Sequence, residues 1–383
     1  DFCLSRGLGD VYKRQQLHDA LDKGFFKAEG LNVEEVPVHN PADMLPSLSA
    51  NQLDMGGTGA NAALYNSVNR GLGIEVLSYM AIGAPNARGL AIVIRKQLID
   101  SGRYKGPKDL KGMKVGLSDP TGTSGLWMQE ALSAGGLTLK DVDITNLNFA
   151  EMNAALTNGA VDVAMNIQPY VLQSESQNIA RTIFVAGQLN YGGPSSLLEL
   201  GPTFAKNNPE AVKRFMVGFL RGQRDLFNIF QNGAGGQAAK DQIYLSETKH
   251  TAIKDVNQVK VLTNIAGAFS GIPINGEMPL GRMQQYQAFF LQSGVQQQPI
   301  DLNKLIDRSY VDYAVQQLGG PLPNPNLPQP PTSSVPPKPE PVAASPAASG
   351  SAAPAAASGA TSAPASAGGA TSGSAAAKPA AGY

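Results

Sequence analysis

Two glycine- and hydroxyl-rich turns hold the residues of this chain best suited to chemistry. One is Gly57-Thr58-Gly59; the other is Thr121-Gly122-Thr123-Ser124. Each follows a short apolar run and precedes a helical pattern. Glycine lets the backbone approach a ligand closely. A helix start exposes unpaired N–H groups and a partial positive charge, a combination that suits an anion. Thr58, Thr123 and Ser124 would add hydroxyl donors. Either turn alone is ordinary punctuation with a Ser/Thr N-cap. Two of them, well apart in the chain, predict a site built from both. His39 and Asn40 follow a further strand, at the end where open α/β sheets place ligands.

Residues for other chemistries do not assemble in the sequence. Cys3 is the single cysteine, so neither an internal disulfide nor a cysteine-based zinc site is available. His18, His39 and His250 read as too scattered for a metal cluster, and no metal or cofactor is expected. No Ser/His/Asp or Cys/His constellation can be drawn from them, which argues against an enzyme. The 383 residues carry 30 basic and 30 acidic side chains, and this balance argues against a nucleic-acid partner. No run of 18 or more apolar residues exists to span a bilayer.

The elements that must position the turns are legible as alternation. Strands are expected at Asn32–Val38, Leu53–Gly57, Glu75–Ile82, Leu90–Arg95, Lys114–Ser118, Asp143–Asn148, Asp162–Asn166, Thr182–Ala186 and Ser195–Leu200. Helices are expected between them, at Gln16–Glu29, Pro41–Asn51, Asn61–Arg70, Ser124–Gly135, Glu151–Asn158 and Tyr170–Gln177. Such alternation predicts an α/β fold with mostly parallel sheets covered by helices. After Pro202 the pattern turns helical. In Asn208–Gln231, the residues Val212, Phe215, Met216, Phe219, Leu220, Leu226, Phe227 and Phe230 fall on one stripe, which reads as core packing. Further helices are expected at Gly236–Ser246, Asp255–Phe269, Pro279–Ser293 and Ser309–Leu318. Trp127, the only tryptophan, reads as core.

Both ends differ in character. Ser5–Gln15 resembles a translated assembly artefact of metagenomic gene models, so residues 1–15 are set aside as non-native and the first strand is expected to be missing. No export signal is visible. Residues 319–383 are almost entirely Pro, Ala, Ser, Gly and Thr, a composition that cannot bury enough apolar surface to offset chain entropy; a disordered tail is expected.

Four segments then resemble the nitrate/sulfonate/taurine-type substrate-binding proteins of ABC importers. They are Gly24–Glu34 (GFFKAEGLNVE), Leu53–Asn61 (LDMGGTGAN), Leu110–Gly116 with Gly122-Thr123-Ser124 and the later Ala134-Gly135-Gly136-Leu137, and Asn153–Ala164 (NAALTNGAVDVA). Their order and spacing carry the resemblance, which spans most of residues 16–318. It implies a two-lobed periplasmic-binding-protein fold (type II-like), with residues 16–85 and 195–318 in lobe one and 88–187 in lobe two. It implies a monomer outside the cytoplasm that closes on a small anionic solute and delivers it to membrane permease and ATPase subunits. Nitrate, sulfonates, taurine, aromatic acids and pyrimidine precursors stay open as solutes. The alternative is thiamine-pyrimidine precursor binding or synthesis on the same fold.

That plan adds candidates. Asn86 and Arg88 fall near the lobe crossing, where Arg88 either meets an anion or lies on a solvated loop. Asn166 and Gln168, with Pro169, end a strand where sulfonate-binding relatives often carry Trp-x-Pro. Tyr191 and Ser195 fall in the return hinge. The ligand-binding set is thus His39, Asn40, Gly57, Thr58, Gly59, Asn86, Arg88, Thr121, Gly122, Thr123, Ser124, Asn166, Gln168 and Tyr191.

Overall fold

Among the described residues, ten strands form two five-stranded sheets, and the chain passes from one to the other and back. A computed structural model describes residues 2–7, 14–38, 44–82, 87–189, 193–251, 253–266 and 271–324. The first half runs β1 (Phe2–Gly7), α1 (Gln15–Asp22), α2 (Phe25–Ala28), β2 (Val33–Val38), α3 (Met44–Ser49), β3 (Met55–Thr58), α4 (Ala62–Asn69) and β4 (Glu75–Ile82). The second sheet is built from β5 (Leu90–Arg95), α5 (Lys96–Asp100), β6 (Lys114–Leu117), α6 (Thr123–Ser133), β7 (Asp143–Asn146), α7 (Phe149–Asn158), β8 (Val163–Ile167), α8 (Tyr170–Ser176), β9 (Ala180–Val185) and α9 (Ala186–Leu189). The chain returns as β10 (Pro194–Leu200) and finishes in helices: α10 (Pro202–Asn207), α11 (Pro209–Phe230), α12 (Gly236–His250), α13 (Val256–Ala266), α14 (Leu280–Gln292) and α15 (Ser309–Gln317).

The strand order is β2-β1-β3-β10-β4 in one sheet and β7-β6-β8-β5-β9 in the other. The expectation of mostly parallel sheets needs correction. β1 runs parallel to β2 and β3, and β6 parallel to β7 and β8, but β10 and β5 are antiparallel to both of their neighbours. β5 and β10 are the strands the chain enters on crossing between sheets. They arrive from the opposite direction, whereas the strands built by local strand–helix–strand crossovers stay parallel.

Residues set aside as non-native are part of the first sheet. Phe2–Gly7 pairs with β2 from Phe2↔Val33 to Gly7↔Val38 and touches β3 at Leu4↔Met55. Without it, β2 and β3 would present unpaired backbone donors and acceptors to each other across a gap. The expected helix over 16–29 is likewise divided. Gly24 and Gly30 take left-handed φ values of 70° and 71°, conformations that glycine adopts without strain. Gly24 separates α1 from α2, and Gly30 ends α2 ahead of β2.

The stripe on α11 is core, as its spacing predicts. Val212, Phe215, Met216, Phe219 and Leu220 are buried with α1, α2 and α15, and Leu226 and Phe227 pack into a second cluster with Ile243, Tyr244 and Val259. Gly222 lets α1 come close: a Cβ there would sit 2.4 Å from the Gln16 carbonyl oxygen. α14 does something the sequence does not suggest. Its Met283, Tyr286, Phe289 and Phe290 share one apolar cluster with Leu64 and Tyr65 of α4 and with Trp127, Met128 and Ala131 of α6. One helix thus packs against elements of both sheets, and Trp127 is core.

The start of the expected tail is tied down. Arg224 donates to the carbonyls of Leu318 (2.8 Å) and Gly320 (2.7 Å), and Asn275 exchanges two hydrogen bonds with Leu322. Asn324 donates to Ile272 O at 2.8 Å. The boundary expected at residue 319 therefore comes too early, because the buried Arg224 on α11 needs two of those carbonyls and the half-buried Asn275 pairs with Leu322. Residues from 325 on lie outside those described.

Candidate functional site

The two glycine-rich turns meet. The β3–α4 turn leaves the first sheet, the β6–α6 turn leaves the second, and Thr123 Oγ1 donates to the Ala60 carbonyl at 3.3 Å. Beside that contact lies a cavity of about 270 Å³ lined by Leu45, Asn61, Ala62, Ala63, Asp119, Thr121, Gly122 and Val295. Its walls come from α3, the start of α4, the β6–α6 turn and the segment after α14. Ser293 Oγ donates to the Thr121 carbonyl at 3.2 Å, and Asn66 Nδ2 to that of Val295 at 2.7 Å, fixing the last wall to the β6–α6 turn and to α4.

Local chemistry explains each wall. Asn61 caps α4 by accepting from Leu64 N at 3.0 Å, which satisfies one of the orphan donors of the first turn. The β6–α6 turn is closed by Asp119 and Ser124. Ser124 Oγ donates to Asp119 O (2.6 Å) and accepts from Asp119 N (2.8 Å). Glycine at 122 leaves room for the Asp119 carboxylate, which a Cβ would meet at 1.7 Å and displace. Burial pushes the Asp119 carboxyl up, and the Gly122 N–H partly offsets this. A carboxylate therefore stands at the α6 N-terminus, where the sequence alone suggested only donors.

The proposed ligand residues divide three ways. Gly59, Thr121, Gly122 and Thr123 belong to the meeting turns; of these, Thr121 and Gly122 line the cavity. Other side chains are turned to internal work. Thr58 donates to the carboxyl group of Glu199 on β10, which is wholly buried. Burial lifts that carboxyl to about 8, against the pull of Thr58 and Arg14. A Cβ on Gly57 would strike Met80 at 2.4 Å, so that glycine serves sheet packing. Ser124 is spent on its turn. Asn166 accepts from Ile167 N and donates to Asn153 (3.3 Å). Gln168 joins the Arg88 carbonyl to Leu172 N. Arg88 lies 3.5 Å from Glu175, so the cation expected to meet an anion already faces a carboxylate. His39, Asn40, Asn86 and Tyr191 lie outside the described residues, as does the side chain of Ser195.

Asp119 and Asn61 are functional candidates that the motif reading missed as ligands. The Asp-Pro-Thr-Gly run signals a turn, but nothing in it says that the carboxylate faces a cavity. The histidines also differ from expectation. His18 and His250, 232 positions apart in the sequence, stack with ring centroids 4.5 Å apart beside Glu35. The return of α12 onto α1 brings them together, and no local spacing encodes that.

A family model described as NMT1/THI5 like matches residues 16–229. Among curated proteins, the chain is 25% identical over 142 residues to a nitrate/nitrite binding protein of Nostoc sp., covering 37% of this chain and 32% of that one. It is 26% identical over 221 residues to a putative aliphatic sulfonates-binding protein of Escherichia coli, covering 56% of this chain and 66% of that one. The chain thus spans a third to just under two thirds of these relatives. Its fold resembles a putative periplasmic sulfonate-binding protein of Methylobacillus flagellatus, with a TM-score of 0.64, 16% identity, and coverage of 83% and 94%. It also resembles a desulfurization enzyme at a TM-score of 0.55 and 12% identity, with coverage of 83% and 99%. The architecture is that of the two-lobed periplasmic solute-binding proteins.

Proposed function

The chain belongs to the NMT1/THI5-like family, and from that premise we propose that it is the extracytoplasmic solute-binding component of an ABC importer. One observation carries the reading: turns from two different sheets meet at one cavity, joined by Thr123 and Ala60. A solute seated there would take donors from both halves and favour the form in which they stay together. The relatives' names support it, being given for nitrate, nitrite and aliphatic sulfonates. They favour it over the thiamine-pyrimidine alternative. As such a component it would deliver its solute to permease and ATPase subunits; among the described residues, no helix is long and apolar enough to cross a membrane.

The solute class follows from the lining. The starts of α4 and α6 offer backbone N–H groups to an oxyanion, and the Asn61 amide adds a donor. Asp119 adds an acceptor, which repels a bare anion and attracts an N–H or ammonium. A small aminosulfonate such as taurine matches both. Among the described lining residues there is no histidine or cysteine to act as base or nucleophile, and on this reading the solute is released unchanged.

A thermal-shift screen of the full chain against nitrate, ethanesulfonate and taurine tests this. Ligand at a hundredfold excess over its dissociation constant stabilises by about 2.7 kcal/mol, and taurine should give the largest shift. Gly122→Ala, which drives a methyl into Asp119, should abolish it. Equal shifts in wild type and variant, or recovery of a converted product, would overturn the proposal.

A further inference from the structure

A second site lies away from this cavity, at the edge of the first sheet. We propose that His18, Glu35 and His250 form a site for one borderline divalent cation of the Zn²⁺ kind, bound by two imidazole nitrogens and one carboxylate. His18 comes from α1, Glu35 from the edge strand β2, and His250 is the last residue of α12. Their ligand atoms all lie within 4.8 Å of one another.

The two rings are arranged alike. His18 directs Nε2 at Glu35 Oε1 (3.3 Å), and His250 directs Nδ1 at Glu35 Oε2 (2.7 Å). The remaining nitrogen of each ring has its own carboxylate: His18 Nδ1 is 2.7 Å from Glu247, and His250 Nε2 is 3.1 Å from Asp22. Metal-binding histidines are held in this way, one nitrogen on the metal and the other N–H on a carboxylate that fixes the tautomer. Neutral imidazole nitrogens with a carboxylate oxygen are the donor set zinc takes.

Two details fit this cluster to a bound ion. His18 Nε2 and Glu35 Oε1 are buried and make no hydrogen bond, although the His18 side chain is only 3% exposed. They face each other 3.3 Å apart. At a tetrahedral zinc with bonds near 2.05 Å, neighbouring donors stand about 3.3 Å apart. The charges also fit. Glu35, Glu247 and Asp22 bring three negative charges, Lys249 brings one positive at 3.0 Å from Asp22, and a divalent ion completes neutrality with both imidazoles uncharged.

The test is calorimetric titration of the untagged, chelator-treated full chain with ZnCl₂, with Co²⁺ as a spectroscopic probe. One equivalent should bind, with the visible bands of a tetrahedral Co²⁺ site. His250→Ala should weaken binding at least tenfold. Glu247→Gln, which leaves the three ligands in place, should weaken it ten- to a hundredfold. Lys140→Ala, at an exposed position beside the second sheet, should leave it unchanged. Circular dichroism verifies that each variant is folded, and Glu247→Gln suffices if His250→Ala is not. Absence of stoichiometric Zn²⁺ binding, or equal affinity in wild type and Glu247→Gln, would overturn the assignment.

Discussion

Arg282 on α14 and Glu130 on α6 form the buried ion pair that should matter most to how the two halves hold together. Nη1 lies 2.7 Å from Oε1 and Nη2 lies 2.8 Å from Oε2, with side-chain exposures of 3% and 10%. Arg282 also donates to the Leu189 carbonyl at the end of α9 and lies over the Tyr286 ring. Burial pushes the Glu130 carboxyl up while Arg282 pulls it down, so its ionised form depends on that partner. Glu130→Gln keeps the volume but leaves a buried guanidinium uncompensated, which costs about 3–5 kcal/mol. Arg282→Met leaves the opposite charge and should cost a similar amount. The double variant removes both charges, and its loss should be smaller than the sum of the singles by at least ~2 kcal/mol. Urea unfolding reads this directly through Trp127 fluorescence, since the indole Nε1 donates to Tyr286 Oη at 3.3 Å in the same cluster. A loss below ~1 kcal/mol for Glu130→Gln, or strict additivity, would refute the reasoning.

Three other outcomes follow from the packing and charge. Gly222→Ala places a methyl against the Gln16 carbonyl and should destabilise by about 1–3 kcal/mol in the same urea assay. Glu199, raised from 4.5 to about 8 chiefly by burial, keeps in the folded chain a proton that the unfolded chain has lost. Stability from this group is therefore full below pH 4.5 and falls as pH rises towards 8. Glu199→Gln should flatten that slope, and an unchanged pH profile of urea midpoints would contradict it. Truncation after Asn324 should leave the melting temperature unchanged, whereas truncation after Gly320 removes the Asn275–Leu322 and Asn324–Ile272 bonds and should lower it by several degrees.

What the sequence told and what it withheld divide along a physical line. Strands such as Glu75–Ile82 and Leu90–Arg95 have the bounds their apolar runs predict, because burial on both faces leaves a continuous local signal. The α11 stripe is equally local. Strand direction is not: β5 and β10 turn antiparallel because of where the chain has come from. β1 was hidden because Phe-Cys-Leu-Ser-Arg-Gly has no alternation, and its place is dictated by the gap between β2 and β3. At the site, glycine and helix-start chemistry located the meeting turns at Gly59 and Thr121–Thr123. Hydroxyl direction is a tertiary matter, and so Thr58 and Ser124 turned out to serve Glu199 and Asp119. The pairing of His18 with His250 depends wholly on α12 folding back onto α1.

A crystal structure of the full chain grown with taurine tests the central claim most directly. The solute should lie between Asn61 and Ala62 on one side and Asp119, Thr121 and Gly122 on the other, its sulfonate at the helix starts and its ammonium within hydrogen-bond distance of Asp119. A structure with that cavity unfilled under saturating taurine, or with taurine held by residues of one sheet's elements alone, would contradict the account.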